Sequence, residues 1–515
     1  MPSDRRRLLR PTRPTHPSRA EQLPGNTASP GPVPLLVACL GFFVATLDVN
    51  VVNVALPRIA HDLGGGVAGA QWVADGYTLP FAALLLSAGA LADRVGASRA
   101  FGAGLAAFTV LSAVCGLAPG AGTLIAARAA QGCGAALMLP ASLALIRRTY
   151  TDPAARARGV AWWVAASGVG VAAGPVTGGL LTQGLGWRWV FFLNVPLGVA
   201  GLAGLRVVRR SAPRPAPLDP AGQTAAVVAS AGLVFAMIEG GAHGFRAPGV
   251  VAGLVAFAVA GGVFLAVEAR GRHPVVPLGL FRTPAVAVCT AAGFALNLGF
   301  YGSVFVLGLF FQTQRGDSPV VSGLMFLPMT GLIAVVNVLA GRLTARHGPR
   351  RPLVGGQLLL VAGLLAVSAV GPGTATAWVL AALVPLGVGA AFCAPALTGA
   401  ILEAIPPERA GLASGIVNSA RQSGGAVGVA LSGACAGAHA LRADPGFVPG
   451  MRRFLLVAAC LSALTATAAA LALRDGDHRR PRDAGDASDT VRLPHPVRRP
   501  RCRPRRGPLG GGRST

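Results

Sequence analysis

Three ionisable side chains lie inside long apolar runs, Asp48, Arg128 and Arg421, and two more, Asp75 and Glu239, lie nearer the ends of such runs. Taking a charge out of water is costly unless it is paired or wetted, so each of these needs a partner or a task. Desolvation favours the neutral form of a carboxylate, which would let Asp48 take up and release a proton and also meet a cationic ligand. The alternative is a structural aspartate hydrogen-bonded to Asn50, Asn53 or a neighbouring helix. Arg128 keeps its proton at any useful pH, so its part is electrostatic, either holding a carboxylate and altering its proton affinity or pairing structurally. Gln131 follows three residues on and shares its helix face. Arg421 precedes Gly424 and Gly425, the mark of a closely packed helix, and leaves structural and functional roles both open. Glu239 sits at the outer end of a run, where a solvated glutamate is ordinary.

Other chemistries lack their residues. The eight histidines lie in tails, loops or run ends, without metal-ligand spacing. Seven cysteines (Cys39, Cys115, Cys133, Cys289, Cys393, Cys435 and Cys460) lie in apolar runs and one in the C-terminal tail, with no disulfide or metal spacing. There is no phosphate-binding GxxxxGK[ST], no Ser/His/Asp set and no His-Glu-x-x-His. These absences predict no catalytic residues, no metal, no cofactor and no enzyme activity. An ion gradient, not ATP, is the energy source that remains.

The elements that must position these groups are membrane spans. With 53% hydrophobic and 12% charged residues over 515 positions, the chain is too apolar for a soluble protein. Fourteen apolar runs are long enough to be candidates: 34–56, 71–92, 100–117, 123–146, 159–182 and 189–208, then 224–238 and 250–267, then 285–311, 320–340, 353–370, 377–401, 411–438 and 454–473. The run at 224–238 is the shortest. The net charge of +26 is carried by arginine without any lysine, and it falls in short gaps and in the tails, which argues for membrane topology and against nucleic acid. Arginines crowd the even-numbered connections and both tails, Arg452 and Arg453 running against the trend, so both termini are expected in the cytoplasm. Residues 1–33 show no cleavable signal, and both they and 474–515 read as unfolded cytoplasmic tails.

Two glycine patterns shape the expected bundle. Gly170 to Gly179 carries Gly170, Gly174, Pro175, Gly178 and Gly179 in the middle of the fifth run. The proline should kink that helix, and the small residues should let a neighbour approach closely. A second pattern repeats: Gly89, Asp93, Arg94 and Gly96 follow the second run, and Gly341, Arg346 and Gly348 follow the tenth. Repetition with one spacing predicts two six-helix halves, 34–208 and 284–473, separated by a 209–283 linker with two extra spans. Glycine would permit the tight turn, and Asp93 and the arginines would contact helix ends across the seam.

Taken in order, these segments resemble the major facilitator superfamily, and within it the fourteen-span drug:proton antiporters. The stretch from Leu47 to Pro57 is similar to that family's first-helix motif, Ala127 to Gly134 to its arginine motif, and Gly170 to Gly179 to the motif of exporters. Trp187 to Pro196 and Asn418 to Gly425 also look familial. Asn50 departs by standing where a small hydroxyl residue is usual, Ala97 and Ser98 replace basic residues, and the second loop copy lacks its aspartate.

The resemblance implies an all-α major facilitator fold and proton-coupled export of amphipathic or cationic drugs by alternating access. A dedicated exporter of one natural product and a proton-coupled importer are the alternatives. Proton coupling is expected of Asp48 and Arg128, the substrate cavity of Asn50, Asn53, Gln131, Asn297 and Arg421, and gating of the glycine motifs. The implied partners are a drug-like molecule, protons and the lipid bilayer of the cell membrane, with the chain working as a monomer.

Overall fold

The computed structural model describes residues 32–150, 152–208, 210–213, 219–271, 276–405, 407–437 and 445–473. The two expected tails lie almost wholly outside these residues. The described residues are helical, without a β-strand. In chain order the helices are α1 (Val33–Leu63), α2 (Gly66–Val95), α3 (Ala97–Gly116), α4 (Ala121–Thr149), α5 (Pro153–Gly184), α6 (Trp189–Phe192) and α7 (Asn194–Leu205). Then come α8 (Pro220–His243), α9 (Pro248–Arg270) and α10 (Pro284–Leu309), the last continued by one π-helical turn. The remainder are α11 (Pro319–Met325), α12 (Leu327–Thr330), α13 (Ile333–His347), α14 (Arg350–Ser368), α15 (Thr376–Ala404), α16 (Pro407–Ala436) and α17 (Phe447–Ala472).

Twelve helical segments among the described residues are long and apolar enough to cross a membrane, where fourteen runs were expected. The other two positions are helical as well. The sixth is the shorter apolar pair α6 and α7, interrupted at Leu193, where Pro196 has no N–H to give the preceding turn. The thirteenth, α16, is a 30-residue helix carrying Arg421 and Gln422 among its glycines and serines. The shortest run, 224–238, belongs to the 24-residue α8. The tenth run is divided into α11, α12 and α13 around Pro328 and Gly331.

Helix starts follow from local chemistry. Asp152 and Asp219 precede Pro153 and Pro220, and their carboxylates accept from the Ala155 and Gly222 amides at 2.7 and 2.9 Å. Proline is tolerated in a first turn because its missing N–H had no partner there. The repeated loop glycines are also accounted for: Gly96 ends α2 at φ +96° and Gly348 ends α13 at φ +77°, a backbone that favours glycine. Asp93 meets Arg148 at 3.8 Å, and Arg350 donates to the Ala470 carbonyl at the end of α17 at 2.6 and 3.1 Å. These contacts lie within one set of helices each, not across the seam as expected, and Arg94 and Arg346 are exposed.

The packing repeats. Helix α1 lies on α5 as α10 lies on α16, and α3 lies on α4 and α7 as α14 lies on α15 and α17. The two sets meet through α2 against α16, α5 against α11, and α1 against α10. Gln71 donates to the Val429 and Ala430 carbonyls at 3.1 and 2.7 Å, and Gln312 to the Val54 carbonyl at 2.9 Å. These bonds gather at the end of the bundle opposite the start of α1. The extra pair is peripheral: α8 packs on both α2 and α16, and α9 packs on α8.

Candidate functional site

Asp48 is fully buried on α1 and is held from two other helices. Arg128 of α4, equally buried, donates through Nη1 to Asp48 Oδ2 at 2.5 Å and to Gln131 Oε1 at 3.0 Å. Asn194 of α7 donates to Asp48 Oδ1 at 2.8 Å and to Ser112 Oγ of α3 at 3.0 Å, and Ser112 in turn donates to the Phe191 carbonyl. Arg128 Nε reaches the Val73 carbonyl of α2 at 3.3 Å, and its guanidinium lies over the Tyr77 ring at 4.3 Å. A buried ion pair repays its desolvation only with good geometry and further hydrogen bonds, and here both Asp48 oxygens and the Nε and Nη1 of Arg128 have partners. Asp48 therefore meets a guanidinium, Arg128 holding a carboxylate as one of its two expected parts, and of the partners weighed for Asp48 the structure shows neighbouring helices and not Asn50 or Asn53.

Asp75 has the opposite surroundings. It lies nine residues into α2, fully buried, deeper than its place in the sequence suggested. Its Oδ1 accepts from Thr78 Oγ1 at 3.0 Å, its Oδ2 has no partner, and no described cation is within ion-pair distance. Glu239, on α8, accepts from Trp72 Nε1 at 3.5 Å and meets His243 at 3.0 Å, so it fastens α8 to α2.

A cavity lies between the two sets of helices. The first set lines it with Phe42, Thr46, Asn53, Thr78, Phe81 and Arg128, and the second with Tyr301, Gln422, Gly425 and Val429. A mainly apolar wall with rings and a few polar groups suits a small amphipathic molecule. Of the five residues expected in the cavity, Asn53 lines it. Asn50 donates to the Thr46 carbonyl at 2.7 Å and packs against Gly174 of α5. Gln131 is engaged in the Asp48 network. Asn297 is buried on α10, four residues from Tyr301, and Arg421 lies one turn before Gly425. Neither is part of the wall.

The Gly170 to Gly179 stretch presents two faces. Helix α5 runs through Pro175 without interruption. Gly170, Gly174 and Gly178 pack on α1 backbone, within one set: a Cβ on Gly178 would lie 2.5 Å from the Val51 carbonyl oxygen. Gly179 instead faces α11, where a Cβ would lie 2.9 Å from Val320 Cα, and Gly323 of α11 abuts Pro175. Only this second face lies between the sets.

Sequence reasoning missed Asn194 and Ser112 as partners of Asp48, and Tyr301 in the wall. One signal was available: of three tyrosines in the chain, Tyr77 and Tyr301 lie in apolar runs.

A duplicated helical bundle with a central cavity and buried charges beside it defines a membrane transporter rather than an enzyme. The sequence matches the Major Facilitator Superfamily over residues 38–429, and the chain belongs to that family. It is 39% identical over 413 residues to the methylenomycin A resistance protein of Streptomyces coelicolor, covering 79% of this chain and 86% of that one. It is 37% identical over 401 residues to the multidrug resistance protein Stp of Mycobacterium tuberculosis, covering 78% and 74%. The tetracenomycin C resistance and export protein of Streptomyces glaucescens is 35% identical over 425 residues, covering 81% and 78%. Among solved structures, the peptide transporter POT in complex with sulfate superposes with a TM-score of 0.62 at 16% identity, over 85% of this chain and 93% of its own, a likeness of fold.

Proposed function

We propose that this protein exports amphipathic, drug-like compounds across the cell membrane in exchange for protons, by alternating access of one central cavity. The observation that carries the reading is a cavity walled by both sets of helices, with Arg128 on its surface and the Asp48 ion pair directly behind. The resistance and efflux proteins named above support export rather than import. The arginine bias supports both termini in the cytoplasm, and a cavity walled by one chain supports action as a monomer.

Two carboxylates can share the coupling. Asp75 is buried without a cation in the state described here, whereas Asp48 is held by Arg128, which must move away to free that carboxylate. Such a movement would loosen the links from α1 to α4 and α7, joining proton uptake to helix rearrangement. The test is uptake of a panel of fluorescent amphipathic compounds into energised inverted membrane vesicles. Accumulation that collapses with a protonophore is expected. Accumulation indifferent to the protonophore would remove proton coupling, and no accumulation of any compound by inserted protein would remove export.

A further inference from the structure

We infer that the second set of helices holds an anion-binding subsite centred on Arg421, so that the preferred cargo is an amphipathic molecule with an acidic group, a carboxylate or ionised phenol. This rests on the export reading and names the cargo's charge. Arg421 is half-buried in the middle of α16, and its Nε is buried without a hydrogen-bond partner. Among the described residues no carboxylate lies within ion-pair distance of it. The titratable groups that face it are Tyr301 of α10 and Cys393 of α15. Arg128, the comparable cation of the first set, has its counter-charge in Asp48. Arg421 has none.

The fold makes room for this arm. A Cβ on Gly293 of α10 would sit 2.8 Å from Arg421 Cγ and 3.5 Å from Cδ, so the methylenes lie across bare backbone. Arg421 and Gly425 are four residues apart and share one face of α16, and Gly425, Gln422 and Tyr301 are cavity wall. No carboxylate belongs to that wall. An uncompensated guanidinium in an apolar interior is costly, and a carboxylate that takes its planar fork removes the cost. A cationic cargo would find no carboxylate in the wall, and Asp48 behind it is already taken by Arg128. The walls, being of low dielectric, leave the field of Arg421 unscreened.

The test uses one fluorescent aromatic body in three forms: a coumarin bearing a carboxylate, its carboxamide, and its aminomethyl derivative. Binding to the purified full-length protein in detergent is followed by fluorescence anisotropy. The carboxylate should bind about tenfold to a hundredfold more tightly than the other two, the range for a charge-assisted contact. Arg421→Gln should erase that preference while leaving carboxamide binding in place. Arg421→Lys, which keeps the charge and guards against misfolding as the explanation, should retain part of it. Gly293→Ala, which displaces the arm, should weaken carboxylate binding alone. Equal binding of the three forms, tighter binding of the amine, or an unchanged preference in Arg421→Gln would overturn the inference. Protonophore-sensitive vesicle uptake without acid preference would leave export standing and this subsite refuted.

Discussion

Adding one methyl group to Gly179 should change the conformational balance, whereas adding it to Gly174 should only strain the fold. A Cβ on Gly179 would come within 2.9 Å of Val320 Cα and 3.0 Å of the Pro319 carbonyl carbon, on a helix of the other set. Backbone cannot yield as a side-chain end can, so α5 and α11 must separate. Overfilled contacts of this kind cost about 1 to 3 kcal/mol. If the sets part at this end in the alternate state, the cost falls on the described state alone, and the ratio of the two should shift about fivefold to 150-fold. A Cβ on Gly174 meets Asn50 of α1, within one set, in either state. Its cost should therefore lower thermal stability without moving the equilibrium. The assay is the rate of thiol labelling at Gln183→Cys, beside this contact, in a cysteine-free background. Gly179→Ala should accelerate labelling, and Gly174→Ala should leave it unchanged while lowering the melting temperature. Equal effects on labelling from both variants, or no effect from Gly179→Ala, would refute the assignment of the two faces.

Further outcomes follow from the buried network. Asp75→Asn should abolish drug-driven proton release while the protein inserts normally, because the amide cannot carry the proton; release equal to that of the unaltered protein would leave Asp75 structural. Asp48→Asn should abolish exchange too, but with a lowered melting temperature, since it strands the Arg128 guanidinium in the interior. Arg128→Lys should also reduce transport sharply, because an ammonium cannot hold Asp48, Gln131 and the Val73 carbonyl from one planar fork; normal vesicle uptake would mean that charge alone matters there. Asn194→Leu should destabilise by about 1 to 3 kcal/mol, read as a lower melting temperature in detergent, by taking a donor from both Asp48 and Ser112. Gly96→Ala and Gly348→Ala should each cost about 1 to 3 kcal/mol for the positive φ with extended ψ, measured the same way.

The chain's own order of residues decides a good deal. Apolar runs mark the helices, because a bilayer admits only segments that satisfy their own backbone hydrogen bonds. The repeated loop spacing marks Gly96 and Gly348 as equivalent turns, since a positive φ is a local demand that glycine meets. Asp48, Arg128 and Arg421 stand out as ionisable groups in lipid-length segments, and their scarcity there makes them conspicuous. What they touch is another matter. Asp48 finds Arg128 80 residues away and Asn194 146 residues away, while nearby Asn50 turns toward α5. A helix that is apolar on every side has no stripe to say which neighbour it will face, so the choice belongs to the packing of the whole bundle. For the same reason the glycines of α5 announce close approach without saying to what. Tertiary structure alone divides them, giving Gly174 and Gly178 to α1 and Gly179 to α11, and among the described residues leaves Arg421 without the counter-charge that packing gives Arg128.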